Sequence, residues 1–420
     1  MTTSDRFKPQ IIRQPHGLHT LIALRIRLMK MEPYAKGKQS LLSWFTTQAL
    51  PLWSTTGTDW ARGGFAEKLT AQGQAVDEAR RTRVVARQLY VFSVARKLGW
   101  ATDPTPWLDH GLSFLFERLR QPDGTYAAGV SPEGELLNAR FDLYEQAFAL
   151  FAMASVHRFD ATRYADLPAQ AHQLMDVLEA GWRHPVLGFE EARPRSLPLL
   201  SNPHMHLFEA VLQWAEATPH DASRWLALAD ELGELALRHL IDAASGLVTE
   251  RFDGDWQPVA GVDGQRAEPG HQFEWGWLLN RWGVLRQRPD ALAAARRMID
   301  LAEAHGICPQ RGVAINELLT DLSVHDAHAK LWPQTERIKA WVGRATLARS
   351  QGDAAALEQA LQHSTLAMQG LQAYLGSPLP GGWQEVWLAS GAWQAEPVRA
   401  SSLYHIVCAL ETLADSGSLA

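Results

Sequence analysis

The sequence has little cysteine, because Cys308 and Cys408 are its two thiols. Two isolated cysteines provide neither a disulfide framework nor the paired spacing of a zinc site. Such sparse cysteine use fits a reducing compartment, and we therefore expect a cytoplasmic protein without a metal centre.

Long hydrophobic runs and an excess of positive charge are also missing. No apolar stretch approaches the roughly 20 residues that cross a bilayer. Lys and Arg number 40 against 46 Asp and Glu, for a net charge of −6, which gives no field that favours nucleic acid. Phosphate-binding loops, dinucleotide fingerprints and nucleophile elbows are absent. These absences favour a soluble protein that acts on a small molecule rather than on nucleic acid or a membrane.

Tryptophan, by contrast, is abundant, with 17 residues against 7 tyrosines. Indole rings form flat apolar walls on which sugar rings stack, although a tryptophan-rich core would give the same composition. A carbohydrate-binding site is thus one of two interpretations.

The first thirty residues differ from the rest, with six basic residues against one acid, Asp5. The apolar run 21–24 is too short for a signal peptide. We predict an N-terminal arm over residues 1–35, disordered or loosely docked, unless Met29 or Met31 is the true start. Residues 36–420 are predicted to form one domain.

Helical patterns alternate with short glycine-initiated inserts along the remaining chain. An insert recurs about every 60–70 residues, the rhythm of a diverged repeat. Twelve helices with inserts on alternate connections predict an all-α (α/α)6 barrel with short hairpins in its loops; an open solenoid is the alternative. The predicted helices span roughly 36–53, 78–98, 104–120, 139–157, 162–181, 203–217, 221–241, 269–287, 290–306, 331–349, 354–375 and 399–415.

Polar residues cluster near the starts of the even-numbered helices. His271 and Glu274 lie three apart and share one helical face. Asn202 followed by Pro203 reads as a helix N-cap, and Trp332 before Pro333 marks another helix start. In a ring, inner helices would aim these ends at one central cavity. The sequence therefore predicts a polar site at one end of the barrel.

Each of these residues also has a structural interpretation. His204 and His206 are two apart and face different sides of a helix, so we predict that His206 alone faces the cavity and that the pair binds no metal. Glu336 could pair with a basic neighbour at the surface. His405 could be a satisfied core histidine, and Arg87 a structural ion-pair partner.

Taken together, these motifs resemble the N-acylglucosamine 2-epimerase superfamily, which includes mannose isomerases and cellobiose 2-epimerases. The resemblance covers nearly the whole chain from about residue 40 and implies an (α/α)6 barrel. It rests on five segments in order: Ala86–Tyr90, Asn202–His206, Pro269–Trp275, Trp332–Glu336 and Ser402–His405.

The resemblance implies a general acid and base, His271 and His405, acting on an open-chain sugar. It implies that the remaining matched residues bind the substrate: Arg87, Asn202, His206, Glu274, Trp332 and Glu336. The histidines would move a proton through a cis-enediol, which requires neither metal nor cofactor. The resemblance implies a monosaccharide substrate, and it leaves open whether the protein forms a homodimer.

Isomerase and 2-epimerase share this chemistry, because the enediol can be protonated at C1 or at C2. Trp275 follows Glu274, as in mannose-isomerase-like members, so we favour mannose–fructose isomerisation. Arg193 and Arg195 lie in a long loop, as loop charges or as contacts for a substrate phosphate or carboxylate, and keep a phosphorylated sugar open. The 2-epimerase alternative would act on N-acylglucosamine or another free sugar. A glycosidase would need two opposed carboxylates instead, and a non-catalytic sugar-binding protein would need no histidine pair.

Overall fold

The computed structural model describes residues 32–417. Twelve long helices alternate along this range, as predicted. In chain order they are α1 (32–44, Phe45–Ala49 and Leu50–Thr55), α2 (Thr82–Ala95), α3 (Thr105–Phe114 and Leu115–Leu119), α4 (Leu143–Phe159), α5 (Leu167–Gly181), α6 (Ser201–Ala217), α7 (Ser223–Leu235 and Ala236–Leu240), α8 (Pro269–Arg286), α9 (Pro289–His305), α10 (Trp332–Ser350), α11 (Ala354–Tyr374) and α12 (Ala400–Asp415).

The even-numbered helices form a closed inner ring. Each contacts the next even helix, and α12 returns to contact α2. Inner helices are buried on almost all sides, since Arg83 is the one residue of α2 that is not buried. Outer helices bury a single stripe, as α9 does with Ala291, Ala295 and Met298. The closed ring confirms the (α/α)6 barrel and rules out the open solenoid.

Thirteen short strands lie in the connections. They form antiparallel pairs and one three-stranded sheet. Pairing of Lys68 with Arg399 joins the first insert to the last, so the loops close in a ring as the helices do. The strands are β1 (Lys68–Leu69), β2 (Gly129–Val130), β3 (Leu136–Asn138), β4 (Leu199–Leu200), β5 (Arg251–Phe252), β6 (Arg266–Ala267), β7 (Ile307–Cys308), β8 (Val313–Ala314), β9 (Glu317–Leu319), β10 (Val324–Asp326), β11 (Ala329–Lys330), β12 (Val386–Trp387) and β13 (Val398–Arg399).

The six inserts share a backbone signature despite their different sequences. Each contains a glycine with φ between +68° and +101°, a conformation that residues with a Cβ rarely adopt. These glycines are Gly63, Gly124, Gly188, Gly246, Gly312 and Gly381. The repeat of six inserts, which was inferred from their regular spacing along the sequence, is therefore also seen in their backbone conformation.

Three inner helices also hold their inserts through the same contact. The amide of Gln146 accepts from the backbone N–H of Tyr126 and donates to its carbonyl, both at 2.8 Å. Gln272 binds Val248 in this way, and Gln334 binds Ala314. A buried glutamine thus satisfies a backbone N–H and a backbone carbonyl of each of these three inserts.

The first helix begins earlier than predicted. Residues 32–35 belong to α1, and buried Tyr34 lies 3.1 Å from the hydroxyl of Ser416. The predictions made for residues 1–31 lie outside the described range. No helix within 32–417 is both long and apolar enough to span a bilayer.

Candidate active site

A cavity of about 590 Å³ opens at the N-terminal ends of the inner helices. All six inner helices contribute to its lining, as the ring predicts. The lining includes seven of the eight predicted site residues, namely Arg87, Asn202, His206, His271, Glu274, Trp332 and His405. The eighth, Glu336, lies buried behind His405. We call this space the active-site cavity.

His271 is held by a carboxylate from the preceding insert. Its Nδ1 lies 2.8 Å from Glu250 Oε2, and the other oxygen of Glu250 accepts from the backbone N–H of Glu268. Burial alone would lower the pKa of His271, but the carboxylates of Glu250 and Glu268 raise it to about 10. At neutral pH His271 is therefore an imidazolium that can donate a proton.

His405 has the opposite electrostatic setting. Its Nδ1 lies 2.9 Å from Glu336 Oε1, which leaves Nε2 as the nitrogen available to a substrate. Burial lowers its pKa well below the usual value, and the positive charges of Arg87 and Lys339 lower it further. At neutral pH His405 is therefore a neutral imidazole that can accept a proton.

Trp332 stands beside both histidines. Its ring centroid is 5.0 Å from that of His271 and 5.8 Å from that of His405. Gly270 makes this position possible, because a Cβ there would lie 2.4 Å from the indole. A proton donor and a proton acceptor thus share one apolar wall.

A lysine lies at the centre of the barrel beneath the cavity. Lys339 Nζ is 2.6 Å from Glu336 Oε2, 3.6 Å from Glu274 Oε1 and 3.9 Å from Glu209 Oε1. It also lies 4.0 Å above the ring of Trp277. We call Lys339 and its three carboxylates the lysine cluster. The sequence allowed Glu336 to pair with a basic neighbour, and it does pair with Lys339; the expected surface location is wrong, because both partners are fully buried.

Glu274 has no hydrogen-bond partner for either carboxyl oxygen among the described residues. It forms no hydrogen bond to His271, whose partner among residues 32–417 is Glu250. Burial and the negative charge of Glu336 raise its pKa to about 8. A carboxyl group that stays protonated at neutral pH can donate a hydrogen bond to a sugar oxygen.

The opposite wall is formed by His206 and Arg87. His206 Nδ1 lies 3.2 Å from Glu209 Oε2, and burial lowers the pKa of His206 to about 4. The guanidinium of Arg87 donates to the Tyr144 hydroxyl at 2.8 Å and forms no ion pair within 4 Å among the described residues. Its Nε has no partner, so Arg87 retains donors for a ligand.

Three groups of side chains combine ligand types that metals use. In each, one histidine and two carboxylates offer atoms within 4.8 Å of one another: His206 with Glu209 and Glu274, His271 with Glu250 and Glu268, and His405 with Glu274 and Glu336. In the first and third groups, Lys339 Nζ already lies within 4 Å of both carboxyl groups. A metal ion would have to compete with that ammonium group.

The structure places Asn202 and Trp275 in positions that were not predicted from the sequence. Asn202 does not cap α6, which begins one residue earlier because the Ser201 hydroxyl binds Glu250 at 2.9 Å. Its side-chain oxygen has no hydrogen-bond partner, and the residue lines the cavity. Trp275 is buried against Phe208 and does not line the cavity.

Three residues of the site were not predicted from the sequence. Glu250 stands four places after Gly246, the left-handed glycine of its insert. The same offset from Gly381 gives Glu385, which lines the cavity and binds the Ser402 hydroxyl at 2.7 Å. The four-residue spacing from the glycine of an insert to its glutamate was therefore the sequence signal for Glu250 and Glu385. Lys339 had no such signal.

A second cavity of about 530 Å³ lies at the other end of the barrel. Glu209 borders it, whereas Glu274 borders the active-site cavity. Lys339 lies between these two carboxylates and is fully buried. The lysine cluster thus separates the two cavities.

The profile of the N-acylglucosamine 2-epimerase (GlcNAc 2-epimerase) family matches residues 63–409. The chain belongs to this family. It is therefore an enzyme of the sugar isomerase and epimerase class, as the five motifs implied.

Individual relatives agree with this assignment. The chain is 42% identical to a mannose-6-phosphate isomerase of Rhizobium meliloti over 375 residues, which cover 89% of this chain and 96% of the relative. A crystal structure of D-mannose isomerase matches with a TM-score of 0.78 at 19% identity, over 89% of this chain and 97% of that one. Cellobiose 2-epimerase from Bacillus thermoamylovorans matches with a TM-score of 0.78 at 18% identity, over 90% and 98%. The two structures show the shared fold.

Proposed function

We propose that the protein interconverts an aldose and a ketose, with D-mannose and D-fructose as the hexose pair. The observation that supports this most is the opposite charge state of two histidines on one wall. His271 is held as a proton donor by Glu250, and His405 as a proton acceptor beside Glu336. This division matches the two needs of an enolisation: a base for the C2 hydrogen and an acid for the carbonyl oxygen.

In the proposed reaction, His405 Nε2 removes the proton from C2 of the open-chain aldose. His271 donates its proton to O1, which gives a cis-enediol. His405 then returns its proton to C1, while His271 accepts the proton of the O2 hydroxyl and the C2 carbonyl forms. Both histidines end in their starting states, so the cycle balances without a redox partner.

The other predicted residues would hold the sugar. Arg87 offers guanidinium donors and Glu274 a protonated carboxyl group, both suited to sugar oxygens. Trp332 offers a stacking surface beside the reacting carbons. His206 and Asn202 would bind hydroxyls from the α6 side, and Glu336 would position His405 rather than touch the sugar.

A 2-epimerase is the second candidate. Both histidines flank Trp332, so both can address C2 of a sugar stacked on that ring. If His271 instead takes back the proton from O1, so that the C1 carbonyl re-forms, and delivers this proton to C2 from the opposite face, the product is the epimer. Proton exchange with solvent then returns His405 and His271 to their starting states. The site alone is compatible with either outcome, and the relatives include both activities.

Incubation of the purified protein with mannose distinguishes these reactions. The protein is first dialysed against a chelator, and products are separated by chromatography. Fructose as the first product supports the isomerase. Glucose as the first product supports the epimerase, whereas no conversion of mannose, glucose, N-acylglucosamine or their 6-phosphates contradicts both.

A further inference from the structure

A groove of about 760 Å³ adjoins the active-site cavity. The two spaces share Arg87, Tyr144, Asn202 and Ser401, so a ligand can extend from one into the other. Five arginines line this groove: Arg81, Arg83, Arg87, Arg140 and Arg251. We call it the arginine groove.

Two of the arginines meet at one tyrosine. The guanidinium carbons of Arg83 and Arg87 lie 5.4 and 5.7 Å from the centre of the Tyr144 ring. Arg87 is 5% exposed and lacks a carboxylate partner within the described range. The rings of Phe148 and Tyr404, 4.3 and 5.0 Å from its guanidinium carbon, stabilise this cation in part. They do not neutralise its charge, and a ligand anion would. Arg87 therefore marks the junction of groove and cavity as an anion-binding position.

Arg140 provides a second free cation at the groove. It is exposed and forms no ion pair within 4 Å among residues 32–417. The remaining three are partly neutralised: Arg83 pairs with Glu145 at 2.9 Å, Arg251 with Asp263 at 3.3 Å, and Arg81 with Glu67. Even so, each exposes part of its side chain beside the groove.

The groove's own carboxyl groups oppose this charge weakly. They are Asp142 and Glu191. Burial raises the pKa of Glu191 to about 8, and it also raises the pKa of Asp142. Glu191 is thus mostly uncharged at neutral pH. Asp142 accepts a hydrogen bond from the backbone N–H of Tyr144 and caps α4.

The backbone adds to the positive potential. Arg81 immediately precedes α2, Asp142 immediately precedes α4, and Asn202 lies in the first turn of α6. The N-terminal ends of three long helices therefore meet at the arginine groove, and their dipoles favour an anion there.

We propose that the arginine groove binds a phosphate monoester at the end of the sugar remote from its carbonyl carbon. This inference rests on the proposed isomerase function. Guanidinium groups bind phosphate oxygens through paired N–H donors, and several of them can share one dianion. In an open-chain hexose held at His271 and His405, the phosphate at C6 is the group that extends farthest toward the groove.

The loop around Arg193 and Arg195 borders the groove, but these two arginines do not line it. Arg193 and Arg195 were the arginines first considered for a phosphate. Arg195 instead pairs with Glu190, and the guanidinium of Arg193 lies 5.4 Å from the ring of Trp182. Neither lines the groove or the cavity. The arginines in the proposed site come mainly from the start of α2.

Substrate preference tests the proposal. We expect wild-type kcat/KM to be at least about tenfold higher for mannose 6-phosphate than for mannose, since hydrogen bonds to charged groups are strong. Arg140→Gln should reduce the ratio of the two kcat/KM values by about tenfold. Arg140 has no ion pair to lose, so the variant should fold. Arg296→Gln, on the exposed side of α9, is the matched control and should leave the ratio unchanged.

Inorganic phosphate provides a second measurement. It should inhibit wild-type turnover of mannose 6-phosphate competitively, and about tenfold more weakly in Arg140→Gln. Equal kcat/KM for the two sugars, with no competition by phosphate, would overturn the groove proposal while leaving the isomerase intact. If wild type converts no sugar, the isomerase fails, and calorimetric binding of mannose 6-phosphate against mannose then decides the groove separately.

Discussion

Lys339 Nζ lies 2.6 Å from one oxygen of Glu336, and the other oxygen of that carboxylate lies 2.9 Å from His405 Nδ1. The lysine is thus linked to His405, the proposed base, through one side chain. Burial raises the pKa of Glu336, and the ammonium group of Lys339 opposes this rise; the same positive charge helps to keep His405 neutral.

Lys339→Met should therefore change the pH dependence as well as the rate. Removing the positive charge raises the pKa of His405, so the acid limb of kcat/KM moves to higher pH. Stability should fall by about 3–5 kcal/mol, because a buried carboxylate loses its partner. The control is Arg337→Met, which removes a buried cation from the same helix, paired with Glu303. It should cost stability without moving the limb; identical pH profiles in the two variants would contradict the role of Lys339.

Glu250→Gln should shift the alkaline limb. The carboxylate raises the pKa of His271 to about 10, so wild-type activity should decline only as the pH passes that value. The glutamine variant should lose activity at lower pH, as measured by kcat/KM between pH 6 and 11. An unmoved limb would show that His271 is not the acid.

The raised pKa of His271 also makes the free energy of unfolding depend on pH. The pKa of His271 is raised on folding above its ordinary value of about 6.5. The stabilisation that it contributes is therefore complete below about pH 6.5 and is lost as the pH rises through about 10. Thermal unfolding across this range should show a decline in wild type that is smaller in Glu250→Gln.

Replacement of either histidine should remove turnover but not the fold. His271→Asn and His405→Asn should each reduce kcat by about 10²–10⁴, the usual contribution of a positioned acid or base. Unfolding curves should confirm folded proteins. The buried His204, which packs against Phe189 outside the cavity, gives the comparison variant His204→Asn. Near wild-type activity in either catalytic variant would remove that residue from the mechanism.

Gly270→Ala should impair catalysis by moving Trp332. The added Cβ would lie 2.4–2.5 Å from the indole, which must shift away from the histidines. Helical backbone tolerates alanine, so we expect KM to rise several-fold with little loss of helix content. Gly181→Ala, which meets nothing within 4 Å, is the matched control. Unchanged kinetics in Gly270→Ala would mean that the position of Trp332 is not critical.

Trp275→Phe tests the one residue that suggested isomerase over epimerase. Because Trp275 packs on Phe208 away from the cavity, the product ratio should not change. The smaller ring leaves a void, and stability should fall by about 1–3 kcal/mol. A shift from fructose toward glucose would show that the core residue controls the product indirectly.

The number and order of helices could be predicted because each carries a local signal. The α8 helix was predicted at 269–287 and is Pro269–Arg286, since proline fixes a helix start. The start of α6 was predicted two residues late. Its true start depends on the contact of Ser201 with Glu250, a residue of a distant insert, and such contacts leave no local pattern.

The contrast between local signals and distant contacts also explains which site residues could be predicted from the sequence and which could not. His271 and His405 lie in motifs at helix starts. Glu250 reaches His271 because its insert folds back over α8, and Lys339 is buried because the barrel surrounds it. Charge alone suggests that a lysine is solvated, so its burial follows only from the closed ring.

The lysine cluster also determines by which route a sugar can enter and leave the barrel. It forms a polar floor between the two cavities, and a sugar would have to break the buried contacts of Lys339 with Glu336 and Glu209 to pass it. Aldose and ketose must then enter and leave through the same opening, that of the active-site cavity. Each sugar therefore obstructs the other, and conversion should slow in either direction as the opposite sugar accumulates.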